Sequence, residues 1–286
     1  MAVVIGAGLV VAACTGNPVG DDHSLRSTAA SPTSTTLATT SPQARPVLEP
    51  LPAPLTGLPD CAEVKPDYKA PDPDPALHCV LREEDRTGLL FEVLGAPAIT
   101  INVYDAQGQR RQSVRQQVVR PQHEMQFLAD LDGTGGEELL VVTASGGSGG
   151  EELAVWHASD TTGQFAFAGT MFGFPYRMQR TTDGFVAIYA HASAGSGEVT
   201  ISRFVDDKLV TLAVLDVEVA AGTYHPDWHT NGTAKCALKR TSNDTAVPDA
   251  QAMAERNTQL AAAGIDPTTA EDHFCSQPWV GTLYSK

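Results

Sequence analysis

Nine residues in the middle of the chain, Asp130-Leu131-Asp132-Gly133-Thr134-Gly135-Gly136-Glu137-Glu138, place oxygen-bearing groups at alternating positions. A hard divalent cation needs side-chain oxygens at such spacing, a glycine for the tight turn, a backbone carbonyl and a closing carboxylate. Asp130, Asp132, Thr134, the Gly136 carbonyl and Glu138 fall on positions 1, 3, 5, 7 and 9 of a calcium loop, with Gly135 at the turn. Position 12, where an EF-hand carries a bidentate Glu, is Val141, and the flanks read as strands. The expectation is calcium held weakly, on the order of 10⁻⁴ to 10⁻³ M, because the Thr134 hydroxyl replaces a carboxylate. The competing reading of the same residues is an Asp/Gly-rich turn that satisfies its own amides.

A second cluster is His225-Pro226-Asp227-Trp228-His229, whose alternating side chains share a face if extended. His225, Asp227 and His229 then suit zinc or a hydrolytic site, although such a cluster is more often a turn with surface histidines. The sequence carries no Walker loop or HExxH helix. No serine has a histidine at a telling spacing. We therefore expect a non-enzyme with no catalytic residues. The loop Ser145-Gly146-Gly147-Ser148-Gly149-Gly150 has a different use: exposed backbone and hydroxyl groups between two strands can enter a partner's cleft.

These groups need a compartment and a scaffold. Residues 2–13 form an uncharged apolar run, shorter than the roughly 20 residues of a membrane-spanning helix. Val11-Ala12-Ala13-Cys14 resembles the lipobox of bacterial lipoproteins, which implies lipidation of Cys14 and a signal peptide over 1–13. No Lys or Arg precedes the run, so either the charged leader segment is missing or the start lies upstream. Residues 14–59 are rich in Ser, Thr, Pro and Ala and read as a disordered tether. The folded part is then 60–286, on the extracytoplasmic face of a bacterial membrane. Setting Cys14 aside, Cys61, Cys79, Cys236 and Cys275 form an even set without CxxC spacing. Two disulfides are expected, and among three connectivities the sequence-local pairs Cys61–Cys79 and Cys236–Cys275 are preferred.

The scaffold reads as mainly β, a small antiparallel propeller-like or sandwich-like domain with a C-terminal helix. Short β-branched and aromatic segments recur at Leu89–Val93, Ile99–Tyr104, Leu139–Thr143, Leu153–Trp156, Phe165–Ala168, Phe185–Tyr189, Val199–Phe204 and Leu209–Leu212. Turns are expected at Ala106–Gly108, Asp160–Gly163 and Asp206–Asp207. The stretch from Ala144 to Glu151 repeats at Ala192 to Glu198, an offset of 48 residues, within the range of propeller blades. A weaker third copy runs from Leu89 to Tyr104. One helix is expected from Pro248 to Ala263, closed by Gly264, with Met253, Leu260 and Ala263 facing the β domain. The net charge of −15 disfavours nucleic acid and anionic lipid surfaces and favours a basic partner or a cation.

The Asp130–Glu138 loop is similar to those of FG-GAP and VCBS-type β repeats. Lipobox, tether, disulfides, calcium loop and Ser-Gly loop together resemble bacterial envelope lipoproteins related to i-type lysozyme inhibitors. That resemblance implies a propeller-like fold, calcium at Asp130, Asp132, Thr134 and Glu138, and Ser145, Gly146 and Gly147 as a loop inserted into a peptidoglycan hydrolase. The expected partners are thus the membrane, through the lipid, and a basic protein or cell-wall enzyme. A passive structural or adhesive FG-GAP-like module, and a zinc hydrolase at His225–His229, are the alternatives.

Overall fold

The computed structural model describes residues 50–64, 77–83, 88–95, 98–118, 126–146, 150–159, 162–193, 195–219, 234–239 and 248–285. The expected leader, Cys14, the tether up to residue 49, Gly147 and the His225, Asp227 and His229 cluster lie outside them.

Three antiparallel meanders follow one another along the chain. The first joins β1 (His78–Arg82), β2 (Leu90–Leu94), β3 (Ile99–Tyr104) and β4 (Arg110–Gln116) in that order. The second joins β5 (Gln126–Ala129), β6 (Glu138–Ser145), β7 (Glu151–Ala158) and β8 (Phe165–Gly173). The third runs through β9 (Met178–Arg180), β10 (Val186–Ser193), β11 (Ser196–Val205), β12 (Lys208–Val219) and β13 (Ala234–Lys239). No sheet closes on itself among the described residues. The 48-residue repeat maps onto equivalent hairpins, β6–β7 and β10–β11, the second and third strands of consecutive sheets.

The sheets stack face to face because side chains alternate across each strand. Leu139 and Val141 pack with Phe91 and Ile101 of the first sheet, while Leu140 and Val142 pack with Val186 and Ile188 of the third. The middle sheet is therefore covered on both faces, which is why β6 reads Leu-Leu-Val-Val with no polar alternation. The other face of the third sheet, with Ala187, Tyr189 and Val199, meets Leu260, Phe274, Val280 and Leu283 from a helical layer.

That layer comprises α1 (Asp249–Ala262), α2 (Ala270–Cys275) and α3 (Pro278–Ser285). Gly264, at φ +79°, stands at C′ of α1 where the backbone turns left-handed. Leu260 is fully buried as expected, but Met253 points outward and Ala252 takes the inward position. The expected face is one residue off at Met253, since Ala252 contributes too little hydrophobicity to mark it. Helices α2 and α3 were not expected from the sequence. Their short apolar runs are buried by the third sheet rather than by their own periodicity.

Disulfides link Cys61 to Cys79 and Cys236 to Cys275. The first ties a 3-10 turn at Cys61–Glu63 to β1, and the second ties β13 to α2. Bridges of this kind persist in oxidising compartments and point to an extracytoplasmic location. Packing also reaches back into the Pro-rich stretch: Leu55 is fully buried against Val80, Leu90 and Tyr104, with Leu51 and Leu58 beside it.

Candidate cation centre

The connection from β5 to β6 is the Asp/Gly loop. Its turns are closed by its own carboxylates: Gly133 N–H donates to Asp130 Oδ1 at 2.6 Å and Thr134 N–H to Asp132 Oδ1 at 2.8 Å. Gly133 sits at φ +77°, and a Cβ there would collide with the Arg180 guanidinium reaching over from β9. A side chain at this position would therefore meet both backbone strain and a steric clash.

Glu138 opens β6 with its side chain on the face turned to the third sheet. Only 2% of it is exposed, yet both oxygens have partners. Leu131 N–H donates to Oε2 at 2.6 Å, and His157 Nδ1 lies 3.0 Å from Oε1. His157 comes from β7, where the ladder pairs Leu139 with Trp156 and so brings the next residue on each strand together. Its ring stacks on Phe204, 4.6 Å between centroids. Its Nε2 lies 3.5 Å from Asp207 Oδ1, at the β11–β12 turn. That turn holds Asp206 and Asp207 at φ +49° and +60°, as a two-residue I′ hairpin requires.

The outcome is a compact group. One ligand atom from each of Asp132, Glu138 and His157 lies within 4.8 Å of the others. Burial pushes the Glu138 carboxyl up to about 7, and the Asp132 charge adds to that rise; the Leu131 and His157 hydrogen bonds oppose both. Of the expected calcium ligands, Asp132 and Glu138 come together. Asp130 is outside the group, and Gly136 N–H faces Thr134 Oγ1 at 3.5 Å within the loop. His157 was missed by the sequence reading. Counting inward from the hairpin loop pairs Glu138 with Ala158, and only the bulge between Val142 and Ala144 shifts the register to His157.

The Ser-Gly loop lies at the far end of the same strand. Glu138 and Ser145 are the two ends of the eight-residue β6, about 23 Å apart at ~3.3 Å per residue. Gly146 N–H donates to the Gly150 carbonyl at 2.6 Å, and the half-exposed Phe172 ring covers both glycines. The Ser145 hydroxyl is buried. On the neighbouring hairpin, Ser193 and Ser196 hydroxyls bond to each other at 2.7 Å. Nearby, Arg177 lies over the rings of Phe174, Tyr176 and Tyr189, with Tyr176 well exposed. One end of the stack thus offers carboxylates and an imidazole, and the other offers glycine loops with aromatic rings.

No helix among the described residues is long and apolar enough to cross a membrane. No family model matches the chain, and no curated protein matches it. Among solved structures, the chain is similar to one described as "Structure of a Xanthomonas Type IV Secretion System related protein". The identity is 10%, the TM-score is 0.36, and the match covers 59% of this chain and 83% of the other.

Proposed function

We propose that this chain is an extracytoplasmic lipoprotein, anchored through Cys14, that holds a divalent cation at the β5–β6 loop and binds a protein or cell-wall partner. The observation that carries the reading is the convergence of Asp132, Glu138 and His157 on one point at a sheet-to-sheet junction. A cation there would tie the β5–β6 loop to β7 and would favour the folded state by linkage. Calcium is the cation the loop spacing names. The two disulfides support the compartment, and the lipobox resemblance supports the anchor.

For the partner, the glycine loops and the exposed Phe172 and Tyr176 at the opposite end are the surface we favour. Inhibition of a basic peptidoglycan hydrolase is the concrete form of this reading. The chain's charge of −15 would steer such a target inward. The buried Ser145 hydroxyl favours a second reading, a passive structural β module, because a serine turned inward presents nothing to a cleft.

Thermal unfolding of the full chain, first in EDTA and then over a cation titration, tests the cation. The expected outcome is a midpoint several degrees higher with cation, lost in Asp132→Asn. An unchanged midpoint at millimolar cation would reduce the loop to a turn. A lysozyme inhibition assay on the wild type and on Phe172→Ala separates inhibitor from passive module: only the inhibitor reading expects activity, weakened by the substitution.

A further inference from the structure

We propose that Asp132, Glu138 and His157 form a zinc-class metal site in which the imidazole Nδ1 is the third ligand, in place of a calcium loop made of oxygen donors alone. This rests on the cation reading above and names its metal.

Each of the three residues divides its polar atoms between the cluster and a holder outside it. His157 turns Nδ1 toward Glu138 Oε1 at 3.0 Å and Asp132 Oδ2 at 3.8 Å, while Nε2 faces Asp207 Oδ1 at 3.5 Å. Glu138 turns Oε1 inward and accepts Leu131 N–H on Oε2. Asp132 turns Oδ2 inward and accepts Thr134 N–H on Oδ1. This is the pattern of ligands oriented by outer partners, with the far ring nitrogen of the histidine held by a carboxylate. The Phe204 ring fixes the plane of the imidazole.

A single positive centre can be shared by all three inward atoms. A proton between Nδ1 and Oε1 joins only that pair. Asp132 Oδ2, 3.8 Å from Nδ1, is beyond hydrogen-bond length. A metal joins all three. Ligand atoms about 2.0 to 2.2 Å from a common tetrahedral zinc stand roughly 3.3 to 3.6 Å apart; the 3.0 and 3.8 Å separations from Nδ1 bracket that value, and the two carboxylate oxygens lie within 4.8 Å of each other. Two carboxylates and a neutral imidazole would also balance a dication in a site where His157 and Glu138 side chains are 6% and 3% exposed. Asp132, at 13%, is the side open to water.

Calcium fits the group less well. It takes six to eight oxygens at about 2.3 to 2.6 Å, whereas here one side of the cluster is a ring nitrogen and Asp130 is engaged with Gly133 N–H. Imidazole with carboxylate suits zinc and its neighbours in the transition series.

The test uses the purified full chain, stripped with EDTA and dialysed, with zinc chloride and calcium chloride as probes in calorimetry and thermal unfolding. One zinc per chain is expected, with a midpoint rise of several degrees that is lost in Asp132→Asn and in His157→Gln. The rise is expected to survive in His225→Ala/His229→Ala, the other cluster able to bind zinc. Because His157→Gln removes a buried ring and its fold is at risk, cobalt binding to the wild type gives a second readout. Visible d–d absorption that zinc quenches and calcium does not is the expected signature. If the double histidine variant loses zinc and Asp132→Asn keeps it, the proposal is overturned. If calcium stabilises as strongly as zinc and His157→Gln keeps the effect, the site is an oxygen loop, and the cation reading stands while this inference falls. If neither metal binds, both fall, leaving His157 as a buried bridge between Glu138 and Asp207.

Discussion

Gly173 marks how closely the second and third sheets approach. A Cβ there would stand 2.6 Å from both Ile188 Cγ1 and the Tyr189 carbonyl, and Phe174 N–H donates to that same carbonyl at 2.8 Å. Backbone cannot yield as a flexible side chain can, so Gly173→Ala should cost about 1–3 kcal/mol through overpacking. For a body of this size each kcal/mol moves the midpoint by roughly 2–4 °C. A thermal melt checks it, and a midpoint within a degree of wild type would mean that the sheets separate readily there. At this scale Asp132 and Glu138 were legible, because alternating acids with glycines announce an oxygen-rich loop. His157 was not, since its place depends on a single-residue bulge that leaves no local pattern. The Asp206–Asp207 turn was expected, but its meeting with His157 was not, because that depends on how two sheets stack.

At the level of elements, the strands that the sequence revealed are those with a buried face. The apolar runs of β3, β6, β7, β10 and β11 stood out. The polar or short edge strands did not: β4 buries only Val114 among Arg, Gln and Ser, and β9 has three residues. Polar edges of this kind deter pairing with other chains, and the same polarity hides them from a hydrophobic reading. The first sheet carries a polar network across three strands. Glu92 accepts from Asn102 Nδ2 at 2.8 Å and Tyr104 O–H at 2.9 Å, with His78 Nε2 at 2.9 Å. Burial alone would raise this carboxyl, but the bonds from Asn102, His78 and Tyr104 together hold it below its ordinary 4.5. With the folded value below the unfolded one, the folded state prefers the ionised group. Its stabilisation is complete above pH 4.5 and is lost as pH falls through the lowered value. Glu92→Gln should therefore lower the midpoint at pH 7, with the gap from wild type closing below pH 4.5. A constant gap in melts across that range would contradict the network.

The described residues of the unit Glu49–Lys286 form a stack of four layers: three β meanders in chain order, then helices. Covering both faces of the middle sheet and one face of each neighbour explains how consecutive blade-like units persist without closing a ring. The helical layer occupies the face of the third sheet where a further meander would pack, and the Cys236–Cys275 bridge ties it down. The mainly β architecture and the hairpin repeat were readable because periodicity and turn residues are local signals. The order of the layers was not, since it depends on which face of each strand meets which neighbour. In that stack the cation centre draws on two sheets at one end, and the glycine loops stand at the other. The proposed metal at Asp132, Glu138 and His157 ties the β5–β6 loop to β7 within the middle sheet, against Phe204 and Asp207 of the third. Anomalous diffraction at the zinc edge, from crystals grown with zinc, measures this most directly. One peak is expected, about 2.0 to 2.2 Å from His157 Nδ1, Glu138 Oε1 and Asp132 Oδ2. No peak there, with His157 still bonded to Glu138, would contradict it.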